Sequence, residues 1–309
     1  MSELYDVVII GSGPAGLTAA IYAKRAMLKT VTIETNMVSG GQILNTYEVD
    51  NYPGLPNING FDLGMKMKEH ADQLGAVFME DTVQDLKFAD DRKLVVGKNK
   101  VYETKSIIIA SGAQHRKLGI PGEEQFSGRG VSYCATCDGA FFKEKDVAVV
   151  GGGDVAIEDA IFLARLSRKV YVIHRRDELR GAKSLQEKLL SLENVELVWD
   201  SVVEEIQGQN GVTGITVKNV KTNEQSSMEL QGVFIAVGIS PNTEVFKDRV
   251  KLTGGGYVVA GEDCQTSEPG VFAAGDVRYK ILRQIVTAVS DGAVAITSAE
   301  KYLNDMYRK

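Results

Sequence analysis

The chain has 309 residues, of which 44% are hydrophobic and 25% charged, and its formal net charge is −6. At about 150 residues per domain this length predicts two domains, and the composition excludes a disordered chain, a collagen and a disulfide-stapled miniprotein. The charge gives no support for a nucleic-acid surface, and no segment approaches the ~18 uninterrupted apolar residues of a membrane helix, so we expect neither partner. With only three cysteines and a start that lacks a basic, apolar leader, the sequence predicts a cytoplasmic protein.

The first predicted unit is a strand, a glycine turn, a helix and a second strand. The segment at 6–10 contains a continuous apolar run typical of a buried parallel strand, and the turn at 11–16 reads GSGPAG, a G-x-G-x-x-G pattern. Its glycines let the backbone approach a pyrophosphate at the start of the helix predicted over 17–28. The strand at 30–33 ends at Glu34, and an acid there can bind the ribose hydroxyls of an adenine dinucleotide.

Further along the chain, apolar spacing predicts a helix over 61–74 and short strands at 83–88, 93–96 and 106–110. The pattern of strand, glycine turn and helix then begins again at residue 146. This repetition indicates an internal duplication of a βαβ unit.

The second glycine turn, GGGDVA at 151–156, has the related G-x-G-x-x-A form. Its second strand ends in His174, Arg175 and Arg176, with Arg180 shortly after, where the first unit has an acid. Arginines can bind a ribose 2′-phosphate, which an acid would repel. The alternative is a solvated basic strand end. One site thus suits a ribose with free hydroxyls and the other a ribose with a 2′-phosphate. Two different dinucleotides in one chain predict electron transfer from NADPH to a flavin.

Cys134 and Cys137 enclose two residues and are followed by Asp138. This spacing allows an intramolecular disulfide with an activated thiolate. Half of a zinc site is the alternative, but Cys264 and the histidines are scattered, so we expect no metal. Asp138 is either a general acid for a leaving thiolate or a turn or cap residue, and the spacing leaves both open. Cys264 stands alone, and we assign it no role.

Over essentially its full length the chain resembles bacterial-type low-molecular-weight thioredoxin reductases. The resemblance rests on the order of GSGPAG, GGQ, CATCDG, GGGDVA, HRRDELR, PGVFAAGD and a late RQ pair. It implies an α/β fold of two Rossmann-like three-layer dinucleotide-binding domains, with an NADPH domain (115–242) inserted into an FAD domain (1–114 and 243–309). It also implies a cytoplasmic homodimer in which NADPH reduces FAD and the dithiol of the NADPH domain reduces thioredoxin.

Site residues follow from the same resemblance. Cys134 would attack thioredoxin, Cys137 would face the flavin, and Asp138 would be the general acid. The residues implied for FAD are Gly11, Ser12, Gly13, Pro14, Ala15, Glu34, Gly40, Gly41, Gln42, Asn51, Val83, Ala110, Gly112, Gly275, Asp276, Arg283, Gln284 and Ile285. Those implied for NADPH are Gly151, Gly153, Asp154, Val155, Ala156, His174, Arg175, Arg176, Arg180 and Gly238. Val155 departs from the family, which often has a small hydroxyl residue there.

Two other functions fit the sequence. One is a related flavoprotein reductase that serves another thioredoxin-like or peroxiredoxin-linked carrier, since the sequence does not reveal the partner-binding surface. The other is a non-catalytic dinucleotide-binding redox sensor. A sensor does not need two cysteines followed by an acid, so residues 134–138 count against it.

Overall fold

The computed structural model describes residues 3–46, 49, 51–89 and 92–308. The chain divides into two compact units. Unit 1 comprises Met1–Gln114 and Ser240–Lys309, and unit 2 comprises His115–Ile239. The chain of unit 2 is therefore inserted between the two pieces of unit 1. No helix in the described part of the chain is long and apolar enough to cross a membrane.

Both units contain helices and strands. The helices are α1 (Pro14–Arg25), α2 (Gly60–Gln73), α3 (Ala135–Asp138), α4 (Asp154–Leu163), α5 (Lys183–Leu190) and α6 (Ile285–Tyr307). The strands are β1 (Leu4–Ile10), β2 (Thr30–Glu34), β3 (Phe78–Glu80), β4 (Val83–Phe88), β5 (Lys93–Gly97), β6 (Val101–Ile109), β7 (Ala113–His115), β8 (Val131–Ser132), β9 (Asp146–Val150), β10 (Lys169–Ile173), β11 (Val195–Val198), β12 (Ser201–Gly208), β13 (Val212–Asn219), β14 (Gln225–Glu229), β15 (Gly232–Ile235), β16 (Ile239–Pro241) and β17 (Val271–Ala273).

The sheet of unit 1 has the order β3–β2–β1–β6–β5–β4, with β17 paired to β6. Strands β1, β2, β3, β6 and β17 are parallel, whereas β5 pairs antiparallel with β4 and β6. Alternate residues of β1 serve opposite faces: Val7 and Ile9 pack with the alanines of α1 and α6, and Val8 and Ile10 pack with Val31. Because both faces are covered, the buried part of β1 from Val7 to Ile10 is continuously apolar.

The main sheet of unit 2 has the order β11–β10–β9–β15–β8 and is parallel throughout. On one face Val147 and Val149 pack with Ala156 of α4. On the other face Ala148 packs with Ile215 of the antiparallel sheet β12–β13–β14. The two units thus confirm the predicted α/β class with two Rossmann-like folds.

One predicted strand is longer in the structure. The strand expected over 106–110 is the second half of β6, which begins at Val101. The first half, VYETK, alternates between buried and less buried side chains and pairs antiparallel with β5. A search for continuous apolar runs misses such a segment because only every second residue is buried.

Candidate active site

The first glycine turn joins the carboxyl end of β1, an interior strand of the sheet in unit 1, to α1. Gly11 has a φ of +99°, and a Cβ there would lie 2.5 Å from the carbonyl oxygen of Ala110, so no larger residue fits. Helix α1 starts at Pro14 without a side-chain cap. Its first backbone N–H groups therefore remain available to an anion.

Glu34 is bonded directly to this turn. One carboxylate oxygen accepts hydrogen bonds from the Ser12 amide (2.8 Å) and hydroxyl (2.7 Å). The other accepts from the amide and side chain of Asn36 (3.0 and 3.1 Å). The acid that ends β2 is thereby fixed beside the start of α1, where the sequence predicted a ribose ligand.

The loop at residues 40–42 also lies on the glycine turn, because the Gly40 amide donates to the Ser12 carbonyl at 2.9 Å. Asn51 and Gln284 lie far apart in sequence, yet the Asn51 side chain donates to the Gln284 Oε1 at 2.9 Å. Ile285 packs on the small cluster that contains Ile43. The fold thus brings several of the predicted FAD residues together.

Arg283 and Asp276 each have a buried polar atom with no partner among the described residues. These atoms are Arg283 Nε, whose guanidinium lies 4.1 Å from the centre of the Tyr257 ring, and Asp276 Oδ1. Burial raises the pKa of the Asp276 carboxyl, and the positive charges of Lys280 and Arg283 oppose this rise. Buried polar atoms without partners are uncommon in folded proteins, and here they suit a polar ligand.

Asp276 lies in a tight turn, Gly275–Val277, that a buried ion cluster holds in place. Gly275 has a φ of +79°, and its amide donates to Asp291 Oδ2 at 2.9 Å. The Asp291 carboxylate also accepts two hydrogen bonds from Arg278 (both 2.8 Å) and one from Lys280 (2.7 Å). Burial raises the pKa of Asp291, but these hydrogen bonds and the Lys280 charge outweigh it, so the pKa is lowered overall.

Two predicted residues lie apart from this group of contacts. Val83 begins β4 and packs on the core cluster that contains Val31. Gly112 follows β6 with a φ of +68° and has open space where a side chain would be. Neither placement ties the residue to the glycine turn.

The second glycine turn joins β9 to α4 in unit 2. A Cβ at Gly151 would lie 2.5 Å from the carbonyl oxygen of Ala236, which follows β15. Asp154 begins α4, and its carboxylate accepts from the Ala182 amide at 2.7 Å. Val155 is 56% exposed at the start of α4, so a ligand at this turn would meet an apolar side chain there.

Basic residues surround this second turn. The Arg180 amide donates to the Gly152 carbonyl at 2.7 Å, which fixes the Arg180 loop on the turn. The buried His174 ring lies against Gly152, and its Nε2 has no partner among the described residues. Burial lowers the pKa of His174, and the charges of Arg180, Arg176 and Arg175 lower it further. The positive field that would attract a phosphate is therefore present at the end of β10.

The cysteine pair lies at the start of the short helix α3, where Cys134 and Cys137 form a disulfide with their Cα atoms 5.3 Å apart. Cys134 Sγ also lies 3.4 Å from the Thr136 hydroxyl. Ala135 is buried in the core cluster with α4, which anchors the motif. Among the described residues, no group of three or more His, Cys, Asp or Glu side chains could hold a metal ion.

Asp138 ends α3, and its carboxyl is largely buried. Oδ2 accepts a hydrogen bond from the Ser132 hydroxyl at 2.6 Å, and Oδ1 has no partner in the described part of the chain. Burial raises the pKa of Asp138, and the Ser132 hydrogen bond opposes this rise. Asp138 makes no side-chain capping hydrogen bond to the turn that follows. A protonated carboxyl beside a cysteine pair can donate a proton to a thiolate.

Cys264 is fully buried in unit 1, where its thiol donates weakly to the Asp291 carbonyl at 3.6 Å. Burial and then the negative charge of Asp291 raise the pKa of this thiol to about 12. Such a thiol is not a nucleophile at neutral pH.

Sequence reasoning missed two residues that contact the predicted site. Asp291 is a lone acid in an otherwise apolar and small stretch of α6, which is a signal that could have identified it. Ser132 has no comparable signal, because its link to Asp138 depends on the path of the chain through α3.

Comparisons with known proteins identify the family of the chain. A family model described as pyridine nucleotide-disulphide oxidoreductase matches residues 5–292. The thioredoxin reductase of Listeria monocytogenes is 48% identical over 305 residues, which cover 98% of this chain and 95% of the relative. That of Bacillus subtilis is 44% identical over 309 residues, which cover 99% and 98%.

A solved structure gives the same result. The crystal structure of thioredoxin reductase from Streptococcus pyogenes has a TM-score of 0.94 and 46% sequence identity, covering 99% of this chain and 100% of that one. The present chain therefore belongs to the pyridine nucleotide-disulphide oxidoreductase family and, within it, to the thioredoxin reductases.

Proposed function

We propose that this protein is a thioredoxin-disulfide reductase that takes electrons from NADPH and passes them through FAD and the Cys134–Cys137 pair to thioredoxin. The observation that carries the proposal is a disulfide beside a buried carboxyl, in a chain with two dinucleotide turns whose second strands end in an acid and in arginines respectively. The similar proteins are thioredoxin reductases, which supports thioredoxin as the substrate protein.

Unit 1 binds FAD. When bound, FAD supplies the two-electron chemistry that links a nicotinamide hydride to a disulfide. The start of α1 binds the pyrophosphate, and Glu34, already fixed by Ser12, binds ribose hydroxyls. Asp276 Oδ1 and Arg283 Nε bind polar atoms of the cofactor, which supplies the partners that these buried groups lack within the described residues.

Unit 2 binds NADPH. The start of α4 binds the pyrophosphate, and Arg175, Arg176 and Arg180 bind the 2′-phosphate at the end of β10. All three arginines are exposed, and no ion pair joins them to a carboxylate within the described residues, so their charge is available to a ligand. This arrangement favours NADPH over NADH.

The dithiol form of Cys134 and Cys137 reduces the partner protein. The Cys134 thiolate attacks one sulfur of the thioredoxin disulfide, forming a mixed disulfide and releasing a thiolate that takes a proton from Asp138. The Cys137 thiolate then attacks Cys134, which releases reduced thioredoxin and re-forms the disulfide seen here. Burial, which raises the pKa of Asp138, suits the residue to this proton donation.

The protein functions as a homodimer in the cytoplasm. An apolar segment just before α6 supports self-association, since Tyr279 is 62%, Ile281 102% and Leu282 55% exposed. Exposed apolar patches often mark protein interfaces. A reducing compartment keeps the dithiol form available to the partner.

Anaerobic titration and turnover assays test the function. The purified yellow protein is expected to bleach with NADPH, and it should oxidise NADPH continuously only when a disulfide protein is supplied. Thioredoxin and a set of thioredoxin-like and peroxiredoxin-linked carriers are compared by kcat/KM. A higher kcat/KM with another carrier would reassign the substrate, and no turnover with any carrier would indicate a redox sensor.

A further inference from the structure

Ser132 connects the two ends of the cysteine motif. It is 4% exposed on β8, which pairs with β15 through Phe234. Its hydroxyl lies 2.6 Å from Asp138 Oδ2 and 3.1 Å from the Cys134 amide nitrogen. One buried side chain therefore contacts both the backbone of the first cysteine and the carboxyl that follows the second.

The direction of these hydrogen bonds follows from the single proton of a hydroxyl. The amide of Cys134 can only donate, so Ser132 Oγ accepts from it. The proton of Ser132 has two possible acceptors, Asp138 Oδ2 at 2.6 Å and the Cys134 carbonyl oxygen at 3.3 Å, and the shorter contact assigns it to Asp138. Because Oδ2 is already an acceptor, a proton that Asp138 carries lies on Oδ1, the oxygen without a partner among the described residues.

We propose that Ser132 is a positioning residue that directs the acidic proton of Asp138 to Oδ1 and holds the Cys134 backbone at a fixed place beside it. The proposal rests on the proposed function, in which Asp138 donates a proton to the thiolate released from thioredoxin. In that step the sulfur–sulfur bond of thioredoxin breaks, the Cys134–thioredoxin bond forms, and the proton moves from Oδ1 to the released sulfur. Ser132 keeps its own proton throughout.

Few charged groups surround Asp138. Helix α3 packs against α4 and against the 3-10 turn Gly139–Phe142. That turn has no charged side chain, and α4 carries three acids and no base, namely Asp154, Glu158 and Asp159. Among the described residues, the hydrogen bond from Ser132 is the one that favours the ionised form of Asp138. Removing the hydroxyl is therefore expected to raise the pKa of Asp138 further.

The test compares Ser132→Ala, Asp138→Asn and the double variant in the FAD-loaded enzyme. The measurement is kcat/KM for thioredoxin disulfide as a function of pH, which reports the acid of the free enzyme. The matched control is Ser201→Ala, since Ser201 is also buried in unit 2 (5% exposed) and donates to the Trp199 carbonyl at 2.6 Å. Ser132→Thr keeps the hydroxyl and serves as the rescue variant, including where Ser132→Ala folds poorly.

Asp138→Asn is expected to lower kcat/KM about 100-fold or more, as the loss of a general acid does. Ser132→Ala should lower kcat/KM about tenfold, equivalent to one hydrogen bond to a charged group, and should move its alkaline decline to higher pH. Ser132→Thr and Ser201→Ala should keep the wild-type pH profile. In the Asp138→Asn background, Ser132→Ala should lower kcat/KM by much less than tenfold, because only the contact with the Cys134 amide is then lost.

Two results would overturn the role of Ser132 and leave the proposed function standing. One is an unchanged pH profile in Ser132→Ala, and the other is a tenfold loss of kcat/KM that Ser132→Ala still causes in the Asp138→Asn background. An unaltered kcat/KM in Asp138→Asn would instead refute the acid of the proposed mechanism, and the inference with it.

Discussion

Asp291 is the anion of a buried ion cluster that also contains Arg278 and Lys280, and replacing it by asparagine leaves the two cations without it. The side chains of Asp291, Arg278 and Lys280 are 8%, 10% and 8% exposed, and four hydrogen bonds converge on the Asp291 carboxylate. Breaking a buried pair by removing one partner costs about 3–5 kcal/mol, because the remaining charge stays buried. We expect Asp291→Asn to lower the free energy of unfolding by about this amount.

The variant should also bind FAD more weakly. Asp291 accepts from the amide of Gly275, so its loss frees the turn that carries Asp276. FAD affinity of the apoprotein is measured by quenching of flavin fluorescence, and stability by urea unfolding followed by circular dichroism. The matched control is Asp85→Asn, since Asp85 also accepts two hydrogen bonds from one arginine, Arg249, but on the surface of the same unit. That exposed pair should contribute less than about 1 kcal/mol and leave FAD affinity unchanged.

Acidification gives a second check. The pKa of Asp291 is lowered in the folded state, so the carboxylate contributes its stability above the ordinary pKa of aspartate and loses it as the pH falls through the folded-state pKa. The difference between wild type and Asp291→Asn should therefore shrink below about pH 4. The reasoning is refuted if Asp291→Asn and Asp85→Asn have the same free energy of unfolding. It is also refuted if the difference in stability between wild type and Asp291→Asn is the same at acidic and neutral pH.

Three further predictions concern nucleotide choice and the cysteines. Arg175→Ala with Arg176→Ala should raise the KM for NADPH about ten- to hundredfold and spare NADH, as loss of a charge-assisted contact predicts; equal use of both nucleotides by the wild type would contradict this. Cys137→Ser should trap a mixed disulfide with thioredoxin through Cys134, visible by non-reducing electrophoresis, and Cys134→Ser should not; the opposite pattern reverses their roles. Cys264→Ser should leave turnover nearly unchanged, because the thiol pKa of about 12 keeps this cysteine unreactive; a large loss would show that the thiol takes part in catalysis.

Features that depend only on neighbouring residues could be predicted from the amino-acid sequence. The turn at Gly11 requires a residue with positive φ and no side chain. Glycine meets this requirement through its own backbone, so the turn is visible in the sequence. The chemical difference between Glu34 and the arginines at the end of β10 is also local, because each group follows directly from its strand. These features sufficed to predict two Rossmann-like units and two different nucleotides.

Contacts between residues that are distant in sequence could not be predicted in this way. Asn51 and Gln284 pair across most of the chain, and Asp291 reaches back from α6 to the turn at Gly275. Neither contact follows from spacing, because each depends on how α6 packs against the sheet. Asp138 shows the same limit: its neighbours in sequence left an acid and a cap equally open. Its burial and its bond to Ser132 favour the acid, since the environment of a carboxyl is set by the atoms packed around it.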